Sequence, residues 1–237
     1  LYHTMNFQIA SDLHIERVYP NIPIITDYIN PKCESLILAG DIGSIYYEEQ
    51  FTEFMKSVKN HFPNVIYVLG NKEFYRKDGF TALPFEELLR RYIHLCEKLD
   101  IHLLYNSTLE TDDLIIYGST WWSHIPDHQN KEFNLPILNE GSSMMDIDDF
   151  NFLHIQARKS LNEVIKRNNG KKRLLVVSHY CPTRFGTMNI NHKRDDSITF
   201  TPYYFSSSEK YLRREKVDTW IYGHTHVFRN FFFNNIG

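Results

Sequence analysis

An α/β domain, with sheets covered by helices, is predicted by three features of this sequence: recurring short apolar runs, helical periodicities between them, and polar residues that follow the runs at one end. The β-rich apolar runs fall at 7–10, 36–39, 65–69, 114–117, 174–177 and 219–222, and they read as buried strands. Between them, Phe51, Phe54, Met55 and Val58 stand at i, i+3, i+4 and i+7, which places them on one helical face. Phe85, Leu88, Leu89 and Tyr92 repeat that spacing behind Pro84, a residue suited to a helix start. A third helical pattern covers 155–165 and ends at Asn169 and Gly170, residue types that accept the left-handed turn closing a helix. Alternation of the two periods is the pattern of an α/β domain.

Composition narrows the setting. With 237 residues, 42% hydrophobic and 23% charged, and without a Gly/Ser/Pro-rich break, repeat or low-complexity tract, one domain is expected over 5–237. Residues 1–4 precede Met5, where a strand-like run begins at once, and are set aside as a non-native remnant. A net charge of minus three and a pI near 6.5 give no bulk electrostatic case for a nucleic-acid or membrane partner. Cys33, Cys96 and Cys181 show neither paired nor zinc-knuckle spacing, so a reducing compartment, the cytoplasm, is expected in place of a disulfide framework. No window reaches the roughly 18–20 apolar residues needed to span a bilayer, and no charged-then-apolar leader opens the chain. A soluble, unexported protein without a membrane partner is the expectation.

Residues able to hold a metal stand directly after the predicted strands. Asp12 and His14 follow the first run, Asp41 the second, Asn71 the third, His179 the fifth, and His224 with His226 the sixth. Ligand sites of open α/β sheets gather beyond the carboxyl ends of the strands, so seven side chains can converge without unusual loops. Gly40, Gly70 and Gly223 precede ligands and allow tight turns. Carboxylate, imidazole and amide donors without thiolate suit manganese first, with iron or zinc as alternatives. Seven ligands exceed the needs of one tetrahedral ion, whereas two ions about 3.5–4 Å apart and bridged by a carboxylate would use them all. Asp41 is the bridging candidate.

In order and context these residues resemble the calcineurin-like metallophosphoesterases, whose blocks are Asp-x-His, Gly-Asp, Gly-Asn-His-Glu or Asp, a lone His after a strand, and Gly-His-x-His. The matching blocks are Asp12-Leu13-His14, Gly40-Asp41, Gly70-Asn71-Lys72-Glu73, His179 and Gly223-His224-Thr225-His226, and they span nearly the whole chain. Five ordered blocks are far more specific than one short motif. The resemblance implies a four-layer α/β/β/α sandwich with two mixed sheets and the metal site at the strand C-terminal ends. It assigns one ion to Asp12, His14, Asp41 and His226, and the other to Asp41, Asn71, His179 and His224. Asn71, Lys72 and His179 become the catalytic candidates, and the implied reaction is hydrolysis of a phosphate mono- or diester by a water or hydroxide bridging the ions.

Two positions depart from the family pattern. Ser44 stands where another acidic residue is usual, and Lys72 replaces the histidine credited with assisting the leaving group. An unperturbed lysine, with a pKa of about 10.4, is a poor proton donor at neutral pH. The alternative reading is therefore a catalytically weakened metal-binding scaffold that recognises a protein partner, of which the sequence identifies none. Nucleic acid enters only as a substrate. Family members commonly continue with a further strand and a glycine-rich turn, so ending at Gly237 suggests a shortened chain.

The aperiodic stretches 124–145 and 183–208 are candidates for the rim of a site. His124, Tyr180 and Arg184 are the substrate-side candidates, with packing as the alternative for His124 and Tyr180. His192, Lys193 and Arg194 could meet an anionic substrate, and Tyr203, Tyr204 and Phe205 could stack on a base or pin the loop. Lys166, Arg167, Lys171, Lys172 and Arg173 flank a helix end and read as a solvated cap that complements the helix dipole. His3, His61, His94, His102, His128 and His154 have no partner spacing and read as surface or core residues.

Overall fold

Two four-stranded sheets form where the apolar runs lie. The computed structural model describes residues 6–126, 135–187, 205–213, 215–228, 230 and 232. Residues 1–5, His128, His192, Lys193, Arg194, Tyr203 and Tyr204 lie outside the described residues. The chain divides into two units: Leu1–Leu104 with Leu135–Met145, and Tyr105–Asn134 with Asp146–Gly237.

In the first unit, β1 (Phe7–Ala10), β2 (Ser35–Ala39), β3 (Asn64–Val68) and β4 (His102–Leu103) pair in that order. All three pairs are parallel. Among the described residues this sheet shows parallel pairs, where a mixed sheet was expected: successive strands are joined by crossovers, and a crossover between neighbours returns the chain in the same direction. Helices α1 (Glu48–His61) and α2 (Phe85–Lys98) lie in the second and third crossovers. Phe51, Phe54, Met55 and Val58 of α1 and Leu88 and Tyr92 of α2 are buried, as their spacing predicts. Each such side chain contributes about 1.5–3 kcal/mol through removal from water. Strand β1 is not buried as expected; it is an edge strand with Ile9 52% exposed.

The segment 135–145, expected to be irregular, docks at the start of α2. Phe85 N donates to Leu138 O at 2.9 Å and Arg76 N to Pro136 O at 2.8 Å, while Leu135, Ile137 and Met145 are buried.

The second unit holds β5 (Ser107–Glu110), β6 (Leu114–Ser119), β7 (Arg173–Ser178) and β8 (Thr219–Ile221), again in chain order. This sheet is mixed: β5 pairs antiparallel with β6, and the rest are parallel. Strands β4 and β5 escape the sequence reading because they are short and carry no apolar run. Helix α3 (Ile147–Asn168) starts well before the predicted 155. Its start is set by a capping box in which Asp149 N donates to Asp146 Oδ1 at 2.9 Å and Asp146 N donates to Asp149 Oδ2 at 3.3 Å. Asn169 ends the helix in the left-handed conformation, followed by Gly170 at φ 71°. The nearby cations are paired within the chain, Arg167 and Lys172 with Glu110 and Arg173 with Asp113. Among the described residues, no helix is long and apolar enough to cross a membrane.

Asp146→Ala removes the cap acceptor and should destabilise the protein by about 1 kcal/mol. Urea unfolding would show this as a lower midpoint at unchanged slope; an unchanged midpoint would mean that tertiary packing alone sets the start of α3.

Candidate metal centre

Beyond β1 and β2 the two chains stay paired after the regular ladder ends: Asp12 N donates to Gly40 O at 2.9 Å, His14 N to Asp41 O at 3.0 Å and Ile15 N to Ile42 O at 3.0 Å. This pairing holds Asp12, His14 and Asp41 at one sheet end. All three have left-handed backbones, with φ of 56°, 48° and 54°. In the second unit His224 and His226 do too, at 69° and 51°. Five of the ten non-glycine residues with positive φ among the described residues are thus predicted metal ligands. Such conformations are costly and persist where the surroundings over-determine them, typically at functional sites.

The buried carboxylate of Glu73 supplies that constraint in the first unit. It accepts from Gly70 N at 2.9 Å, Asp41 N at 3.0 Å, Ile42 N at 2.8 Å and the Tyr67 hydroxyl at 2.6 Å. One anion therefore joins the loops that follow β2 and β3. Burial, reinforced by the Glu73 charge, pushes the Tyr67 hydroxyl well above its ordinary pKa and keeps it a donor. Gly40 has the positive φ expected, at 86°. Gly70 is needed for space instead, since a Cβ there would lie 2.2 Å from Asp41 Oδ1. Tyr92, read in the sequence as an apolar helix position, also uses its hydroxyl: it accepts from Ile45 N at 2.9 Å and donates to Gly43 O at 3.0 Å.

Side-chain geometry suits N/O ligation of a cation. Asp41, 2% exposed, accepts Lys72 N at Oδ1 (2.8 Å) and has Oδ2 3.8 Å from His14 Nε2. Asn71 Nδ2 donates to the Tyr75 hydroxyl at 3.0 Å, which turns the amide oxygen the other way. Lys72 places its ammonium 4.2 Å from the Tyr75 ring centroid. Burial lowers its pKa; Asp41 partly opposes this, and repulsion from Lys77 and Arg17 adds to it. His14 Nδ1 lies 3.3 Å from Glu16 Oε1. Burial alone would raise the Glu16 carboxyl, but its hydrogen bonds with His14 and the backbone, with the charge of Lys77, bring it below its ordinary value.

In the second unit, Ser178 Oγ accepts from Trp220 Nε1 at 2.8 Å and donates to Tyr180 O at 2.7 Å, bracketing His179. His179 is fully buried, and its Nε2 lies 3.2 Å from His224 Nδ1. Two imidazole nitrogens about 3 Å apart match neighbouring positions around an ion with bonds near 2.1 Å. Gly223 N donates to His179 O at 3.1 Å, bringing the turn that carries His224 against β7, while His226 is exposed.

The substrate-side candidates separate. Tyr180 is buried with its ring 4.3 Å from that of His224, so it packs the imidazole. Arg184 is exposed on a short helical turn. His124 lines a cavity of about 520 Å³ with His154, Arg158, Phe205 and Lys210. His154, unassigned in the sequence, is buried there; its Nδ1 lies 2.7 Å from Trp122 O and its Nε2 accepts from Arg158 Nε at 2.7 Å. Glu73, Glu16 and Tyr75 are the positioning groups that sequence reasoning missed. The only sequence sign for Glu73 was its place as the last letter of a motif.

The sequence model of the calcineurin-like phosphoesterase family matches residues 5–228, and the chain belongs to that family. It is 26% identical over 217 residues to an uncharacterized protein of Acanthamoeba polyphaga mimivirus, covering 85% of this chain and 75% of the other. The crystal structure of a phosphopantetheinyl hydrolase from Mycobacterium tuberculosis shares the fold, with a TM-score of 0.67 and 14% identity over 97% of this chain and 86% of that one. Two sheets with helices, a phosphoester-hydrolase family and metal-capable side chains are thereby established.

Glu73→Gln would turn an amide NH₂ toward backbone N–H donors and should destabilise the protein by about 2–4 kcal/mol; urea unfolding within about 0.5 kcal/mol of wild type would show that the charge is dispensable. For His154, burial and then repulsion from Arg158, His124 and Lys210 outweigh the Trp122 hydrogen bond and lower the pKa to about 4. The unfolded chain, near 6.5, takes up the proton first as pH falls, so the stability from neutral His154 is present above 6.5 and lost toward 4. Relative to His154→Gln, the wild-type stability advantage should therefore shrink by about 1–2 kcal/mol between pH 7 and 4.5, a figure discounted for partial exposure. Parallel urea titrations check this, and an advantage constant with pH would refute it.

Proposed function

We propose that residues 5–237 act as one metallophosphoesterase domain that hydrolyses a phosphate mono- or diester with two divalent ions, manganese by preference and iron or zinc as alternatives. Asp12, His14, Asp41 and His226 would hold one ion, and Asp41, Asn71, His179 and His224 the other. The left-handed backbone at five of these seven residues carries the reading, because such costly conformations cluster at functional sites and here fall on Asp12, His14, Asp41, His224 and His226. The paired imidazoles of the second unit and the His14–Asp41 approach in the first support it.

Bound ions would supply Lewis acidity, which makes a water nucleophilic near neutral pH and clamps the phosphoryl oxygens. The residues do the rest. Asp41 has two carboxylate oxygens to share, one already oriented by Lys72 N. Lys72, half-buried beside Asp41, would bring positive charge to a phosphoryl oxygen where the family pattern has a histidine. His124 and Arg184 remain proposed contacts on the substrate side. That Cys33, Cys96 and Cys181 are not joined in a disulfide supports work in a reducing compartment such as the cytoplasm.

The deciding measurement is manganese-dependent hydrolysis of a bis-aryl phosphate diester and its matching monoester, with metal content determined alongside. Chelator should abolish turnover and metal should restore it, and Asp41→Ala should lower both metal content and rate by at least about a hundredfold. Full turnover in Asp41→Ala would sink the proposal. Two tightly held ions with no turnover of either ester would favour the scaffold reading.

A further inference from the structure

We infer that Glu16 is a positioning residue: its carboxylate fixes His14 in the tautomer that carries the proton on Nδ1 and so presents the Nε2 lone pair to a divalent cation beside Asp41. The inference rests on the proposed reading of His14 as a ligand, and it concerns residues of the first unit only.

The geometry comes from a single 3₁₀ turn, Ile15–Val18. Arg17 N donates to His14 O at 3.0 Å and Tyr19 N to Glu16 O at 3.3 Å, so the turn is closed on both sides of Glu16. His14, left-handed at φ 48°, precedes it and sends its ring back over the turn. As a result Glu16 Oε1 meets His14 Nδ1 at 3.3 Å across only two residues. Both groups are largely withdrawn from water, with 4% and 12% of their side-chain surface exposed. A carboxylate cannot donate, so Nδ1 must carry the hydrogen of the contact. Neutral imidazole has one N–H, and Nε2 is then left as the lone-pair nitrogen, directed at Asp41 Oδ2 at 3.8 Å. A lone pair facing a carboxylate is unfavourable unless a cation lies between them. Carboxylate–histidine–metal arrangements of this kind fix ring orientation and strengthen donation from the metal-facing nitrogen.

Lys77 Nζ lies 3.7 Å from the same oxygen of Glu16, which raises a competing account. In that account Glu16 is held for a Lys77 ion pair that ties two loops, with His14 a bystander. The two accounts predict different variants to fail.

The test uses Glu16→Ala, Glu16→Gln and Lys77→Met. In chelator-treated protein, ¹H–¹⁵N correlation across the imidazole rings reports the His14 tautomer; in parallel, Mn²⁺ is titrated calorimetrically. Glu16→Ala should lose the pure Nδ1–H signature and bind one of two ions about 10–100-fold more weakly, the range typical of such outer-shell partners. Glu16→Gln keeps an oxygen that can accept from Nδ1 and should restore most of both. Lys77→Met should change Mn²⁺ affinity by less than about threefold and leave the tautomer intact. An unchanged tautomer in Glu16→Ala, or an affinity as weak in Lys77→Met as in Glu16→Ala, overturns the inference. Failure of wild-type protein to bind Mn²⁺ overturns it together with the ligand assignment. Tight binding without ester turnover sinks only the proposed activity and leaves the role of Glu16 standing.

Discussion

A carboxylate fully removed from water joins the two loops that carry Asp41 and Asn71. Glu73 is buried among four donors, three of them backbone N–H groups at the ends of β2 and β3. Transfer of an anion to the interior is costly, and only several well-directed hydrogen bonds can offset the lost hydration. The consequence is rigidity where it is needed: Gly70 and Asp41 are drawn so close that no side chain fits at position 70. Lys72 N and Asp41 Oδ1 then lie within hydrogen-bond reach, which sets the orientation of the Asp41 carboxylate.

With that frame in place, the unusual backbone of the candidate ligands can be held. Asp12, His14 and Asp41 each turn through the left-handed region, a conformation that disfavours side chains with a Cβ. They are kept there by cross-loop hydrogen bonds to Gly40, Asp41 and Ile42, and from below by Gln50 of α1, whose amide donates to Ile15 O at 3.0 Å. In the second unit different groups surround His179. Ser178 links Trp220 to the backbone beyond His179, and Trp220 belongs to the apolar cluster that also holds Trp121 and Tyr211.

The candidate ligand positions stood out in the sequence because Asp, His and Asn residues follow directly after five of the apolar runs. The paths of α1 and α2 were legible from spacing, since Phe51, Phe54, Met55 and Val58 bury one face. Positioning groups were not. Glu16 looks like an ordinary surface residue, because nothing local reveals that a left-handed His14 folds back over it. Tyr92 fitted an apolar stripe, and its hydroxyl partners Ile45 and Gly43 lie far away in sequence. Strands β4 and β5 carry few apolar residues, and the all-parallel first sheet follows from connectivity, which periodicity does not encode. The start of α3 did have a local signal in Asp146 and Asp149, but a mixed polar and apolar stretch after it masked the helical period.

Position 72 shows why a departure from the family pattern can leave a metal frame intact. Two parts of that residue do separate work. The backbone N–H orients Asp41 Oδ1, and any residue except proline can supply it. The side chain faces Tyr75 and solvent, and on the proposed reading its chemistry would bear on the ester and not on the candidate ligands. Replacing histidine by lysine therefore changes what can be offered to a leaving group while Glu73, Gly70 and Asp41 keep their contacts. On the proposed reading, ion binding would depend on this buried backbone geometry and the speed of hydrolysis on the half-exposed ammonium group of Lys72.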